Sequence, residues 1–231
     1  QKQADGTFTV SQERFLSDGT TDSSGTSWIV PISFVSAREP TQSANFLLED
    51  KQATLPAELT QGASWLKLNA AQAGIYRVLY PEEMYAALRE PIQTAQLGST
   101  DRLGVLMDAM ALARAGRLKT TQALELLAGY SNETEYTCLV DVVGSVREVA
   151  GIFGKGGEDT IDKGLSKFGC QLLEKVGTSL GWDPKEGEEH VTSLARTLVL
   201  GGLVEFGHEA TINEAKARFT KYLADASSLP A

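Results

Sequence analysis

The sequence predicts a mixed fold of two segregated domains: a small antiparallel β-sandwich over 1–81, then an all-α, solenoid-like array of helical hairpins over 82–231. Two observations carry this. The apolar residues recur every second position up to Tyr80 and every 3.6 positions after Pro81. Turn formers cut the first part into short segments, whereas cap residues and glycines cut the second into helices.

In the first part, Phe8 and Val10 share a face, as do Trp28, Val30, Ile32 and Phe34, then Leu66 and Leu68, then Tyr76, Val78 and Tyr80. The expected strands cover roughly 7–16, 28–36, 45–50, 64–69 and 74–80. Between them lie Ser17-Asp18-Gly19, which opens a Ser/Thr/Gly-rich loop to Ser27, then Arg38-Glu39-Pro40, Thr54-Leu55-Pro56 and Gln61-Gly62.

In the second part, Leu103, Leu106, Met107 and Met110 form one helical stripe. Leu139, Val143, Val146, Ala150 and Phe153 form another, and Ile161, Leu165, Phe168, Leu172 and Val176 a third. Ser99-Thr100-Asp101 and Ser131-Asn132 are start signals, and Gly116, Gly129, Gly181 and Gly207 sit near ends. Seven helices on short turns are expected, stacked as hairpins into the first part of a solenoid.

A net charge of −9 and a pI near 4.8 argue against nucleic acid or an anionic membrane as partner. No apolar run approaches the roughly 20 residues of a membrane helix. Cys138 and Cys170 both fall in helical patterns and read as buried free thiols in a reducing, cytoplasmic setting. The Asn132-Glu133-Thr134 sequon has no signal peptide ahead of it. An opening at Gln1 and a close on Ser-Ser-Leu-Pro-Ala read as a piece of a longer chain.

Several strings imitate sites. Gly151-Ile152-Phe153-Gly154-Lys155-Gly156-Gly157 follows a helix, and its Lys precedes Gly, so it reads as a flexible helix connection at 154–158 rather than a phosphate loop. Asp108 and Asp141 lie in amphipathic helices, where a solvated face or a short ion pair is expected. His190 and His208, eighteen apart, are too distant along one helix for one metal, and Gly201-Gly202 favours a kink or break between them. Each reads as a cap or surface residue.

Glu186-Gly187-Glu188-Glu189-His190, then Glu209 after eighteen residues, imitates the zinc-peptidase spacing. That motif calls for a His and a Glu where this chain has Glu186 and Gly187, so the first ligand and the general base are both missing. Trp182-Asp183-Pro184 instead reads as the end of one helix, with Glu186, Glu188 and Glu189 in the first turn of the next.

In order along the chain, Val10-Ser11-Gln12-Glu13-Arg14-Phe15-Leu16, Trp28-Ile29-Val30-Pro31-Ile32, Trp65-Leu66-Lys67-Leu68-Asn69 and Gly74-Ile75-Tyr76-Arg77-Val78-Leu79-Tyr80 form one series of strings. Asp101-Arg102-Leu103 with Asp108 and Ala109, Leu180-Gly181-Trp182-Asp183-Pro184 with Gly187, Glu188 and His190, Gly207-His208-Glu209-Ala210-Thr211 and Arg218-Phe219 continue it. Together they resemble the C-terminal portion of the puromycin-sensitive type of zinc aminopeptidase, of the gluzincin family.

That resemblance implies an enzyme of four parts, in which a β-sandwich braces a thermolysin-like catalytic domain and a helical bowl walls the substrate cavity. It implies a hydrolase that removes N-terminal residues from peptides with a zinc held by two His and one Glu. No Gly-Ala-Met-Glu-Asn and no His-Glu-x-x-His occurs in this sequence, so none of those residues carries over. The expectation is a noncatalytic fragment with no catalytic, cofactor-binding or metal-binding residues, inactive alone. The zinc belongs to the parent's catalytic domain, and the partners are that domain and the parent's peptide substrates. The alternative is a free-standing helical-repeat adaptor, and a cryptic metal site around 186–209 is a third reading.

Overall fold

The computed structural model describes residues 2, 3, 5–153 and 160–228, the side chain of Phe153 excepted. It divides into two compact units, Gln1–Tyr130 and Ser131–Ala231.

The first unit holds two small antiparallel sheets. One pairs β1 (Thr9–Ser11) with β4 (Gln52–Thr54), Val10 opposite Ala53. The other has the order β3-β2-β5, with β2 (Val30–Ser36) between β3 (Ala44–Leu48) and β5 (Leu66–Leu68). Ile32 opposes Phe46 and Val35 opposes Lys67. Of the period-two positions Phe8, Val10, Ile32, Phe34 and Leu66 are buried, Val30 and Leu68 are half-buried and Trp28 is exposed, and Leu48 and Leu55 join the core from outside that pattern. A short α1 (Ala57–Thr60) and three helices complete the unit: α2 (Glu82–Gln93), α3 (Ser99–Arg114) and α4 (Thr120–Leu127).

The strands depart from expectation in identifiable ways. The segment 7–16 pairs only over Thr9–Ser11, because Gln12 turns its amide group to the backbone of Trp28 and Asp50. The expected strand at 45–50 is β3, after which three residues carry the chain into the other sheet as β4. Its sequence Gln-Ala-Thr has no apolar alternation to announce it.

The segment 74–80 is not a strand. Tyr76, Val78 and Tyr80 are more buried than Ile75, Arg77 and Leu79, as an extended chain requires. Its backbone groups, however, bond to side chains of Asn69 and Asp108 rather than to a neighbouring strand.

Seven α-helices follow residue 81 among the described residues. In α3 the expected stripe is only half right, since Leu106 and Met110 are buried but Met107 is 45% exposed. The helix is covered on several sides and buries Asp101, Arg102 and Asp108 as well as Val105, Ala109 and Leu112.

The second unit is helical: α5 (Tyr136–Phe153), α6 (Thr160–Leu180), α7 (His190–Glu205) and α8 (Glu209–Ala224). Leu139, Val143 and Val146 of α5 are buried, as are Leu165, Leu172 and Val176 of α6, whereas Ile161 is exposed. Cys138 is buried and Cys170 half-buried, both as free thiols. The connection expected at 154–158 lies outside the described residues.

Gly201-Gly202 does not break α7, which runs uninterrupted through the pair. The reason is packing. A Cβ on Gly202 would lie 2.9 Å from Leu173 Cδ1, one on Gly177 2.7 Å from Leu203 Cδ1, and one on Gly169 2.4 Å from the Phe206 ring. Glycines thus let α6 and α7 approach closely, and that contact offsets the helix propensity they lack.

On α8, Ile212, Ala215, Phe219, Tyr222 and Leu223 recur at helical spacing, but the far end of that stripe is uncovered. Phe219 is 59% exposed and Leu223 70%, with Phe219 stacked against Tyr222 at 6.4 Å.

Candidate functional site

The polar groups of the first unit converge where β5 meets α3. β5 is only three residues long, and its middle residue, Lys67, is 1% exposed. A buried ammonium needs a counter-charge and full hydrogen bonding. Lys67 Nζ donates to Asp101 Oδ1 at 2.6 Å and to the Asn69 carbonyl at 2.5 Å, with Gln72 Oε1 at 3.4 Å. Burial pulls the Lys67 ammonium below its ordinary range, and the bond to Asp101 opposes that pull.

The loop after β5 is bent through three left-handed residues that are not glycine: Asn69 (φ 61°), Ala71 (φ 53°) and Gln72 (φ 52°). Such backbone persists where its surroundings over-determine it. Here Asn69 N donates to the Ser33 carbonyl at 2.6 Å, and the Asn69 side chain binds Gly74 N at 2.7 Å and Gly74 O at 3.0 Å. Ala71 N donates to Asp101 Oδ1 at 2.7 Å, the same oxygen that holds Lys67. Gly104 leaves the space on α3 that the Gln72 side chain occupies, since a Cβ there would lie 1.9 Å from its amide nitrogen.

Two helical turns beyond Asp101, Asp108 repeats the device. Its Oδ2 accepts the Val78 N–H at 3.0 Å, and its Oδ1 meets Arg77 at 3.2 Å. Asp108 is thus no solvated carboxylate. Burial pushes it above the usual carboxylate range, against the Val78 N–H and the Arg77 guanidinium. The Tyr80 hydroxyl accepts the Leu68 N–H at 2.9 Å, which ties the end of the extended segment back to β5. Its ring meets Tyr85 edge-on, and burial raises both phenols.

The other strings of the first unit are held similarly. Glu13 pairs with Arg117, and Arg77 lies over the Phe15 ring at 5.5 Å. A groove of about 980 Å³ runs beside β1, bordered by Phe8, Val10, Phe15, Trp28 and Tyr76.

In the second unit, Glu186, Glu188 and Glu189 precede α7 rather than occupying its first turn, and Glu188 instead clamps Arg196. Arg196 also donates to the Leu180 carbonyl at the end of α6, at 3.3 Å. Arg218 of α8 holds Asp183 through two bonds of 2.6 and 2.8 Å, binds Glu214 and lies 5.2 Å from the Trp182 ring centroid. Asp183 and Glu188 are both held below their ordinary values by these guanidiniums.

His190 opens α7 and is exposed. His208 stands at the N-cap position of α8, 2.7 Å from the Thr211 hydroxyl and 3.8 Å from Glu174. Among the described residues no three His, Cys, Asp or Glu side chains converge as metal donors, so these residues do not fit a zinc site.

Each resembling string therefore supplies a partner in one of these networks. A family described as ERAP1-like C-terminal domain matches residues 65–231. The chain belongs to the ERAP1-like C-terminal domain family.

Among relatives, Aminopeptidase M1-A of Oryza sativa subsp. japonica is 38% identical over 97% of this chain, and Aminopeptidase M1 of Arabidopsis thaliana 34% over 96%. Puromycin-sensitive aminopeptidase of Caenorhabditis elegans is 31% identical over 94%. The chain spans about a quarter of the length of these relatives, 26%, 26% and 23% respectively. The family match begins at Trp65, so it opens with the string that contains Lys67 and Asn69.

Sequence reasoning passed over Lys67, and of its two readings for Asp108 the ion pair holds, with Arg77, and the solvated face does not. The available signal was a lysine between two inward leucines of a very short strand, with two aspartates seven apart on an otherwise apolar helix.

Replacing Asp101 by Ala strands the Lys67 charge and the Ala71 N–H, and should cost about 3–5 kcal/mol in urea unfolding of the first unit. Lys67→Met added to Asp101→Ala should regain part of that loss, leaving about 1–3 kcal/mol for the orphaned amide. Equal stability of Asp101→Ala and wild type would contradict the network.

In the second unit, Asp183 and Glu188 bind fewer protons folded than unfolded just below their ordinary values of 3.8 and 4.5. Their stabilisation is therefore present above those values and lost as pH falls through the depressed ones. Asp183→Asn with Glu188→Gln should flatten the acid limb of a stability–pH curve, and an unchanged slope would contradict the assignment.

Proposed function

We propose that this chain is the noncatalytic C-terminal portion of a zinc metallo-aminopeptidase that removes N-terminal residues from peptides. One observation carries the proposal: similarity to aminopeptidases runs along 94–97% of this chain yet spans only about a quarter of each relative. In this chain, residues of the resembling strings hold loops and helix ends, which fits an architectural role.

In this reading residues 1–81 form a small β-sandwich domain that braces the parent's catalytic domain. Residues 82–231 form the first part of a helical, solenoid-like domain that walls the cavity reached by peptide substrates. Zinc, its ligands and the general base belong to the parent's catalytic domain, which would supply the activated water. The parent acts in the cytoplasm. No helix among the described residues is long and apolar enough to cross a membrane.

The test compares the full polypeptide with this chain alone, using an aminoacyl fluorogenic substrate and added zinc. Turnover by the full polypeptide and none by the chain is expected. Zinc-dependent turnover by the chain itself, or an inert full polypeptide, would overturn the proposal.

A further inference from the structure

We infer that 74–80 is a β-strand in the longer polypeptide, completed by an extended segment from outside these 231 residues that pairs with the backbone of Arg77 and Leu79. This rests on the chain spanning only about a quarter of its relatives, and not on the parent's being a peptidase.

The residues are those of a strand. Ile75, Tyr76, Val78 and Tyr80 are β-branched or aromatic, and the even positions turn inward while Ile75, Arg77 and Leu79 turn outward. What the segment lacks is a neighbouring strand, and one of its edges is bare. Tyr76 O accepts the Asn69 side-chain amide at 3.3 Å and Val78 N donates to Asp108 Oδ2 at 3.0 Å, so the backbone of these even positions is engaged. In an extended chain the polar groups of successive residues point to opposite edges, so those of Arg77 and Leu79 point away from Asn69 and Asp108. Among the described residues nothing bonds to them.

That edge is held in place from behind. Asn69 and Asp108 grip the segment in the middle, and the Tyr80 hydroxyl, accepting the Leu68 N–H at 2.9 Å, anchors its end. A charge commonly protects a strand edge against pairing. The one charge here, Arg77, is drawn to Asp108 Oδ1 at 3.2 Å and lies over the Phe15 ring at 5.5 Å instead.

The groove of about 980 Å³ runs along the whole segment, from Gly74 to Tyr80, and Asn69 and Asp108 do not border it, so it lies on the free side. Exposed Phe15, Trp28 and Ile29 border it as well. A docked helix or a small apolar molecule would fill that space and leave the backbone edge unpaired. An extended segment with apolar residues at alternate positions satisfies both: its backbone completes the ladder, one row of its side chains enters the groove, and the other lies beside Ile75 and Leu79. The relatives have polypeptide to supply it, since about three-quarters of each lies outside the match.

The test uses the full-length polypeptide. Residue-resolved hydrogen exchange should find the Arg77 and Leu79 amides at least about a hundredfold slower than free peptide amides, although nothing in this chain holds them. In a second measurement Leu79→p-benzoylphenylalanine is irradiated in a mixture of isotopically light and heavy copies, and the crosslinked peptides are mapped. The expected crosslink lies within one copy and joins position 79 to a residue outside these 231.

Free exchange at either amide overturns the inference. So does a crosslink confined to these residues, one that joins two copies, or none, because each leaves the edge without the proposed strand. Peptide cleavage by the same unsubstituted sample is measured separately, so failure of the peptidase reading and failure of the strand are told apart.

Discussion

The first unit depends on one buried ion pair. Lys67 and Asp101 meet at 2.6 Å, and the same carboxylate oxygen takes the Ala71 N–H. A charge pair out of water is poor as a source of net stability but strict as a specifier, because any other arrangement leaves a charge or an amide unpaired. Here it fixes how the loop after β5 lies on α3. Three left-handed residues in that loop would relax to ordinary backbone in isolation, yet Asn69, Asp101 and the gap at Gly104 leave them no alternative. Asp108 then fixes the extended segment to the same helix two turns on.

That arrangement explains what the sequence disclosed and what it withheld. The change of period at Tyr80-Pro81 was legible because hydrophobic spacing is a local property, and among the described residues the helices lie after it, apart from the short α1. The buried faces of β2 and β5, and of α5, were legible for the same reason. The segment 74–80 misled because alternation reports extended backbone and burial, not pairing. Its hydrogen bonds go to side chains some five to thirty residues away in sequence, which no window can see.

Gly201-Gly202 misled in the opposite sense. Propensity argued for a break, and close packing of α6 on α7 prevailed. For Asp108 the amphipathic pattern left a solvated face and an ion pair both open, and because the helix is covered on more than one side the ion pair with Arg77 holds. In the string around His190, the role of Glu188, clamping Arg196, could not be read from spacing.

Residues of the resembling strings hold loops and helix ends in this chain, and this bears on function. A part built on such joints is suited to keeping its shape. The proposed bracing and walling roles ask for that property and for no reactive group.

The most direct test of the joint is residue-resolved hydrogen exchange at Ala71 and Val78, two amides that belong to no sheet or α-helix and are held only by Asp101 and Asp108. If those carboxylates organise the unit, both amides exchange as slowly as the interior of α3 and lose protection together in global unfolding. Exchange at the rate of an open loop, while α3 stays protected, would show that the charges decorate a fold determined elsewhere.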